Sequence, residues 1–193
     1  MRKAKDESYR RFLKESDARK FLLDALKGHF DFYEEVWSKD LVTGQKYRFD
    51  ALSVCESSGH ILGWEIKKSH LFKAEFCAAL KQAADYRGAL IDDSRLPGLQ
   101  GKLVEACIVF PDWDGLHDAG EIIYGKEADG MRLLASHFRV GALTHSLPSN
   151  VFHIIVGEQA IWHSNSGWTG NADGVLLGKR RRGSTKSHDL TSN

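Results

Sequence analysis

Two carboxylates and a lysine near the middle of the chain have the types and the spacing needed to act on a phosphate. Asp50 falls in a predicted strand over residues 47–55, and Glu65 and Lys67 fall two residues apart in the next predicted strand, over 61–68. Because side chains alternate faces along a strand, Glu65 and Lys67 project from the same side. Pairing of the two strands is expected to bring Asp50 next to Glu65.

This set of side chains predicts metal-dependent hydrolysis of a phosphodiester. Two carboxylates at one point suit Mg²⁺, with Mn²⁺ as a substitute, because these ions prefer oxygen ligands. Such an ion lowers the pKa of a bound water and stabilises charge on a phosphoryl oxygen, and a lysine beside it can hydrogen-bond the water or the phosphate. For an isolated Glu-x-Lys pair, a surface salt bridge is the alternative. The acid in the preceding strand, Asp50, favours the catalytic interpretation.

The elements that position these residues follow from apolar periodicity and turn residues. The predicted helices are residues 6–27, 69–90 and 126–137. The predicted strands are residues 30–37, 47–55, 61–68, 103–110, 140–144, 151–156 and 160–163. We expect the first three strands to form an antiparallel meander and the fourth to lie beside the third, with a loop over 111–125. This order predicts an α/β fold, a mixed sheet with helices on its faces.

Length and composition indicate the domain organisation and the cellular setting of the protein. The chain has 193 residues, of which 42% are apolar and 27% charged, with a net charge of +1. We expect one domain over residues 1–165 and a polar, basic tail over 166–193. No apolar run has membrane-spanning length, and the start lacks the apolar core of a signal peptide. The isolated cysteines Cys55, Cys77 and Cys107 favour reduced thiols and a cytoplasmic protein without a membrane partner.

The residues described so far resemble the PD-(D/E)XK nuclease superfamily. Asp50 and the Glu65-x-Lys67 motif lie on consecutive strands, and Gln82-x-x-x-Tyr86 follows in the next helix, similar to the extra motif of the RecB-like and lambda-exonuclease-like branch. The resemblance covers residues 15–110. It implies a restriction-endonuclease-like core and a Mg²⁺-dependent deoxyribonuclease. The residue before Asp50 is phenylalanine rather than proline, a position that is loose in the family.

The resemblance also implies the metal ligands. Asp50 and Glu65 would hold the ion, and the main-chain carbonyl of Ile66 would complete its shell. The family usually adds an acid from an upstream element. Three residues stand open for it, with the first favoured: Glu15, Asp17 and Glu35.

The remaining site residues take their roles from the same resemblance. Lys67 would position or activate the water, and Gln82 and Tyr86, one helical turn apart, would orient substrate or the lysine. The alternative for the last two is structural, with Tyr86 a core aromatic and Gln82 a polar residue on an exposed helix face.

Basic side chains near the site and at the end of the chain are candidates for binding the phosphate backbone. They are Lys68, Lys73, Lys81, Lys179, Arg180, Arg181 and Arg182. The expected partner is DNA, with RNA open as a substrate, and a homodimer or a larger nuclease assembly fits similar enzymes. A second hypothesis is a non-catalytic module on a nuclease fold that binds nucleic acid or a protein partner.

Other chemistries lack their motifs. The nine histidines show no HExxH or CxxC…H spacing, so no zinc site is predicted. The stretch around Asp112 and Asp114 has its glycine too early for a calcium loop. No P-loop, Rossmann or GxSxG pattern supports nucleotide-dependent or serine-hydrolase chemistry.

Overall fold

The computed structural model describes residues 9–69, 71–112, 116–117, 126–146, 149–157 and 159–176. Over these residues the chain forms four helices and eleven strands. The helices are α1 (Glu15–Leu26), α2 (Lys73–Tyr86), α3 (Lys126–Phe138) and α4 (Ala172–Val175). The strands are β1 (Tyr9–Arg10), β2 (Phe30–Lys39), β3 (Lys46–Cys55), β4 (Ile61–Ile66), β5 (Leu90–Ile91), β6 (Ala106–Phe110), β7 (Leu116–His117), β8 (Gly141–Ser146), β9 (Val151–Val156), β10 (Gln159–His163) and β11 (Gly167–Trp168).

Nine of these strands form one mixed sheet, in the order β11-β10-β9-β8-β6-β4-β3-β2-β5. Strands β4, β6 and β8 run parallel to one another, and their other neighbours are antiparallel. The predicted meander of β2, β3 and β4 is confirmed, and so is the predicted position of β6 beside β4. The chain is therefore an α/β protein with a large mixed sheet flanked by helices, as its sequence predicts.

The helices cover opposite faces of the sheet. Helix α1 packs on one face against Trp64 and Ile66 of β4, and α2 packs on the other face in a cluster that includes Phe49 of β3. The side chains of β4 alternate between the two faces of the sheet, so its even-numbered residues face α1 and its odd-numbered residues face α2. Glu65 therefore belongs to the α2 face, and Lys67 follows it there.

Helix α1 begins at Glu15, nine residues later than the predicted start at residue 6. Tyr9–Arg10 pairs with Leu116–His117 as a separate two-stranded ribbon. Phe12 is then held in an extended form by Ser69, whose Oγ accepts the Phe12 N–H at 2.9 Å and whose N–H donates to the Phe12 carbonyl at 2.7 Å. These pairings commit the backbone groups that a longer helix would need, which is why the prediction was wrong at this end.

Two other boundaries differ from the predictions. Helix α2 is shorter than residues 69–90, because Leu90–Ile91 pairs with β2 as the edge strand β5. Residues 167–176, which the predicted boundary assigned to the tail, form β11 and α4, and Leu176 is buried in the core on the α1 face. The packed part of the chain therefore extends at least to Leu176.

A short segment after β5 covers part of the outer edge of β2. The Asp93 carboxylate accepts the Trp37 N–H at 3.1 Å, the Asp92 N–H donates to the Trp37 carbonyl at 2.9 Å, and the Arg95 guanidinium donates to the Glu35 carbonyl at 2.6 Å. Asp93 is only 3% exposed, and hydrogen bonds from Arg95 hold its pKa well below the usual range. We refer to Asp92, Asp93 and Arg95 as the edge clamp.

Strand β3 changes face at Asp50. Phe49 and Ala51 are two residues apart and would share a face in a regular strand, yet Phe49 packs on the α2 face and Ala51 on the α1 face. The neighbouring strand is irregular at the same level, where Glu35 has a φ of +51° and the pairing of β2 with β3 skips Glu35 and Asp50. Past the pair of Ala51 with Trp64, in the direction of Asp50, β3 no longer pairs with β4. The two strands therefore separate where the candidate residues lie.

Gly63 in β4 makes room for the β3 ring that packs behind this opening. A Cβ at Gly63 would lie 2.8 Å from Cδ1 of Phe49 and 3.0 Å from Sγ of Cys107. We expect Gly63→Ala to lower the free energy of unfolding by about 1–3 kcal/mol, the usual effect of overpacking a core, although alanine suits strands better than glycine. Urea unfolding measures this effect. Gly98→Ala, whose Cβ meets no atom within 4 Å, is the control, and equal stability of the two variants would contradict the prediction.

Candidate active site

The three residues singled out from the sequence lie together at the opening between β3 and β4. The Lys67 Nζ lies 2.5 Å from Glu65 Oε1 and 3.8 Å from Asp50 Oδ2. Lys67 follows the last residue of β4, and its N–H donates to the Phe110 carbonyl of β6 at 2.8 Å, which fixes its main chain. One ammonium therefore bridges two carboxylates that come from neighbouring strands.

The Asp50 side chain replaces a main-chain hydrogen-bond partner that β4 lacks where its pairing with β3 ends. Its Oδ2 accepts the Ile66 N–H at 2.7 Å, a main-chain group that β3 would satisfy if pairing continued. In a strand the N–H and the carbonyl of one residue point to the same side, so the Ile66 carbonyl is directed toward the same opening. The Asp50 side chain is 30% exposed. It thus lies at the boundary between the sheet and solvent, with its second oxygen 3.9 Å from the Arg19 guanidinium.

Glu65 is the most deeply buried member of the site. Its side chain is 1% exposed, and burial, followed by the nearby Asp50 charge, raises its pKa to about 7 in spite of Lys67. Oε1 forms a close ion pair with Lys67, and Oε2 accepts no hydrogen bond from the residues that the structure describes. A buried carboxylate in this state is costly unless a cation or donor completes its surroundings.

Lys67 carries its proton at neutral pH. Burial lowers its pKa, but the Glu65 and Asp50 carboxylates outweigh that effect, and the pKa is raised above its ordinary value. In this state the side chain is a hydrogen-bond donor and a positive charge, not a base. The chemistry open to Lys67 is therefore to position a water molecule or to stabilise negative charge on a substrate oxygen.

Gln82 and Tyr86 lie on one face of α2, as predicted, and connect that helix to β3. The Tyr86 hydroxyl donates to the Arg48 carbonyl at 3.2 Å and accepts a hydrogen bond from Gln82 Nε2. Tyr86 is 5% exposed, packs edge-on against Phe49, and burial raises its pKa to about 12. Tyr86 is therefore a core aromatic that holds β3 two residues before Asp50, while the exposed Gln82 is the member that faces solvent.

The three candidates for the upstream acid lie on two elements, α1 and β2. Glu15 is exposed at the start of α1, and its charge contributes to the raised pKa of Glu65. Asp17 is exposed in the same helical turn. Glu35 lies on β2, where its carboxylate is 3.6 Å from the Arg48 guanidinium. Within the described residues, no three His, Cys, Asp or Glu side chains form a metal-binding group.

Arg19 is a site residue that the sequence analysis missed. Its guanidinium lies 3.1 Å from the Glu34 carboxylate and 3.9 Å from Asp50 Oδ1. It stands four residues after Glu15, one turn along α1, so the helical face that carries the candidate acid also carries a cation. That spacing was the available signal.

The basic residues proposed for phosphate binding have different surroundings. Lys68 and Lys73 are exposed, the first beside Lys67 and the second at the first position of α2. Lys81 is engaged with Asp85, at 2.6 Å. The cluster Lys179–Arg182 lies outside the described residues.

No helix among the described residues is both long and apolar enough to cross a membrane. No protein-family model, curated protein or solved structure matches the chain.

Proposed function

We propose that this protein is a metal-dependent nuclease with a restriction-endonuclease-like core, resembling the PD-(D/E)XK superfamily. The observation that carries the proposal is Glu65, a buried carboxylate whose Oε1 lies 2.5 Å from the Lys67 ammonium and whose Oε2 has no hydrogen-bond partner among the described residues, next to Asp50 at the opening between two strands. The order of α1, the β2–β4 meander, α2 and the parallel strand β6 supports the proposed core.

The residues at the opening fit a magnesium ion. Asp50 and Glu65 supply carboxylate oxygens, and the Ile66 carbonyl supplies a neutral one, a donor set that suits a hard divalent cation. When bound, Mg²⁺ or Mn²⁺ would stabilise negative charge on a phosphoryl oxygen and lower the pKa of a coordinated water. Glu15 stands at the start of α1 as a candidate for a further ligand through water.

Side chains of the protein position the attacking water and the substrate. The Lys67 ammonium, held by its two carboxylate neighbours, donates a hydrogen bond to the attacking water or to the scissile phosphate. Tyr86 holds β3 in place, and Gln82, whose amide nitrogen donates to the Tyr86 hydroxyl, is exposed beside it. Lys68 and Lys73 provide positive charge for the adjacent phosphates.

DNA is the proposed substrate, on the strength of the family resemblance, with RNA as the alternative. The test is incubation of the protein with fluorescent duplex, single-stranded and branched DNA and with RNA, in Mg²⁺, Mn²⁺ or EDTA. We expect cleavage that requires the metal. We also expect Mg²⁺ to raise the melting temperature, because an ion that binds the folded state stabilises it.

Absence of cleavage on every substrate would overturn the nuclease proposal. DNA binding without cleavage, and without stabilisation by Mg²⁺, would instead support the non-catalytic binding module. Size-exclusion chromatography with light scattering of the same sample tests the proposed homodimer.

A further inference from the structure

Two large apolar side chains stand in solvent beside the candidate site. Phe72 and Leu13 are each 80% exposed. Phe72 lies between β4 and α2, five residues after Lys67, so at most about 18 Å of chain separates them. Leu13 lies between Phe12, which is hydrogen-bonded to Ser69, and the start of α1.

A pair of hydrogen bonds brings the two segments together. Phe12 and Ser69 exchange hydrogen bonds of 2.9 and 2.7 Å, and both residues are buried. Leu13 directly follows Phe12 in the chain, and Phe72 is the third residue after Ser69. The two exposed side chains therefore flank the same end of β4, the end that carries Lys67.

The backbone at Phe72 is held firmly although its ring is not packed. Its N–H donates to the Glu75 carboxylate at 2.8 Å, and its carbonyl accepts the Phe76 N–H at 3.0 Å as the first bond of α2. The preceding Leu71 packs against the core cluster on the α2 face. An aromatic ring on a fixed corner loses little conformational freedom when a flat partner stacks on it.

The charges around this corner indicate what that partner is. Lys68 and Lys73 are exposed, four residues before and one residue after Phe72 in the chain, Lys67 lies at the site itself, and the Glu75 carboxylate is bound to the Phe72 N–H. An aromatic ring between lysines matches a nucleic-acid strand, whose rings alternate with phosphates. A protein partner would be expected to meet a continuous apolar patch, and here the apolar groups are single side chains separated by charge.

We propose that Phe72 is a stacking platform for an unpaired base of the substrate strand. The inference rests on the proposed nuclease function and narrows its substrate class to strands that are single or frayed next to the cut. Bases within a duplex are already stacked on their neighbours and leave no face for the ring.

The test measures binding apart from cleavage, by fluorescence polarisation of labelled oligonucleotides with proteins that all carry Lys67→Ala. We expect the addition of Phe72→Ala to weaken binding of single-stranded DNA about tenfold and to leave duplex binding unchanged. Phe72→Trp should retain affinity, and its indole fluorescence should be quenched by single-stranded DNA. An oligonucleotide with abasic sites keeps the phosphates and lacks the rings, so it should bind equally weakly whether or not Phe72→Ala is present.

Phe138→Ala is the matched control. Phe138 is 44% exposed at the end of α3 and precedes β8, which is separated from β4 in the sheet by β6. Unchanged single-strand affinity in Phe72→Ala would overturn the proposal, and so would an equal loss on single-stranded, abasic and duplex DNA. Failure of the wild-type protein to cleave in a parallel assay would count against the nuclease function alone, since the stacking result does not depend on cleavage.

Discussion

Replacement of Lys67 by alanine is expected to lower the rate of DNA cleavage about 100-fold or more. The Lys67 ammonium lies within 4 Å of both candidate metal ligands and is fully protonated at neutral pH, so it is placed to stabilise charge that develops on the phosphate. Removing one such donor from an active site commonly costs this much in rate. Single-turnover cleavage of a labelled oligonucleotide in Mg²⁺ measures the effect.

Two further variants make this result specific. Lys68→Ala removes the same charge one residue along, where the side chain is exposed, and should change the rate only modestly. Asp50→Ala should match Lys67→Ala, because it removes a proposed ligand and also the acceptor for the Ile66 N–H. Near-normal rates in both Lys67→Ala and Asp50→Ala would refute the assignment of the site.

Replacement of Glu65 by glutamine is expected to stabilise the metal-free protein at pH 8. The folded-state pKa of Glu65 is about 7, against an ordinary value of 4.5, so the folded state binds this proton more tightly than the unfolded state does. For an acid shifted upward, the free energy of unfolding is highest below pH 4.5 and falls as the pH rises toward 7. Since one pKa unit corresponds to about 1.4 kcal/mol, the loss at pH 8 approaches about 3 kcal/mol.

Glutamine has a similar shape and does not ionise, so it avoids this loss. The gain should be somewhat smaller than about 3 kcal/mol, because Lys67 loses one of its two anionic partners. Urea unfolding of both proteins in EDTA at pH 4.5 and pH 8 gives the difference directly, and the subtraction removes contributions from other titrating groups. A difference that is independent of pH, or a less stable variant at pH 8, would contradict the account. Added Mg²⁺ should stabilise the wild-type protein and leave Glu65→Gln unchanged.

The sequence was sufficient to predict that Asp50, Glu65 and Lys67 meet. Alternation within a strand places Glu65 and Lys67 on one face, and a tight meander brings the preceding strand alongside. These are local rules that depend on a few neighbouring residues. The same rules predicted the helix carrying Gln82 and Tyr86.

Features that depend on contacts between residues far apart in the chain could not be predicted from the sequence. The residue pattern around Asp50 does not predict that β3 changes face there. The change depends on packing against the core clusters on both faces of the sheet and on the irregular backbone of β2 at Glu35. The histidines that looked scattered also form contacts across the chain. His60 lies 2.6 Å from the Glu105 carboxylate, and the rings of His153 and His163 are 4.6 Å apart on paired strands.

The edge clamp on β2 bears on how copies of this chain can meet. An uncovered strand edge invites a strand from another molecule, which is a common route to aggregation. At Trp37 that route is closed, since Asp92 and Asp93 already occupy its carbonyl and its N–H, and Arg95 occupies the Glu35 carbonyl next to it. These side-chain and main-chain contacts satisfy the edge as a further strand would, without offering a new edge. The clamp therefore blocks addition of a strand to β2 at Glu35 and Trp37.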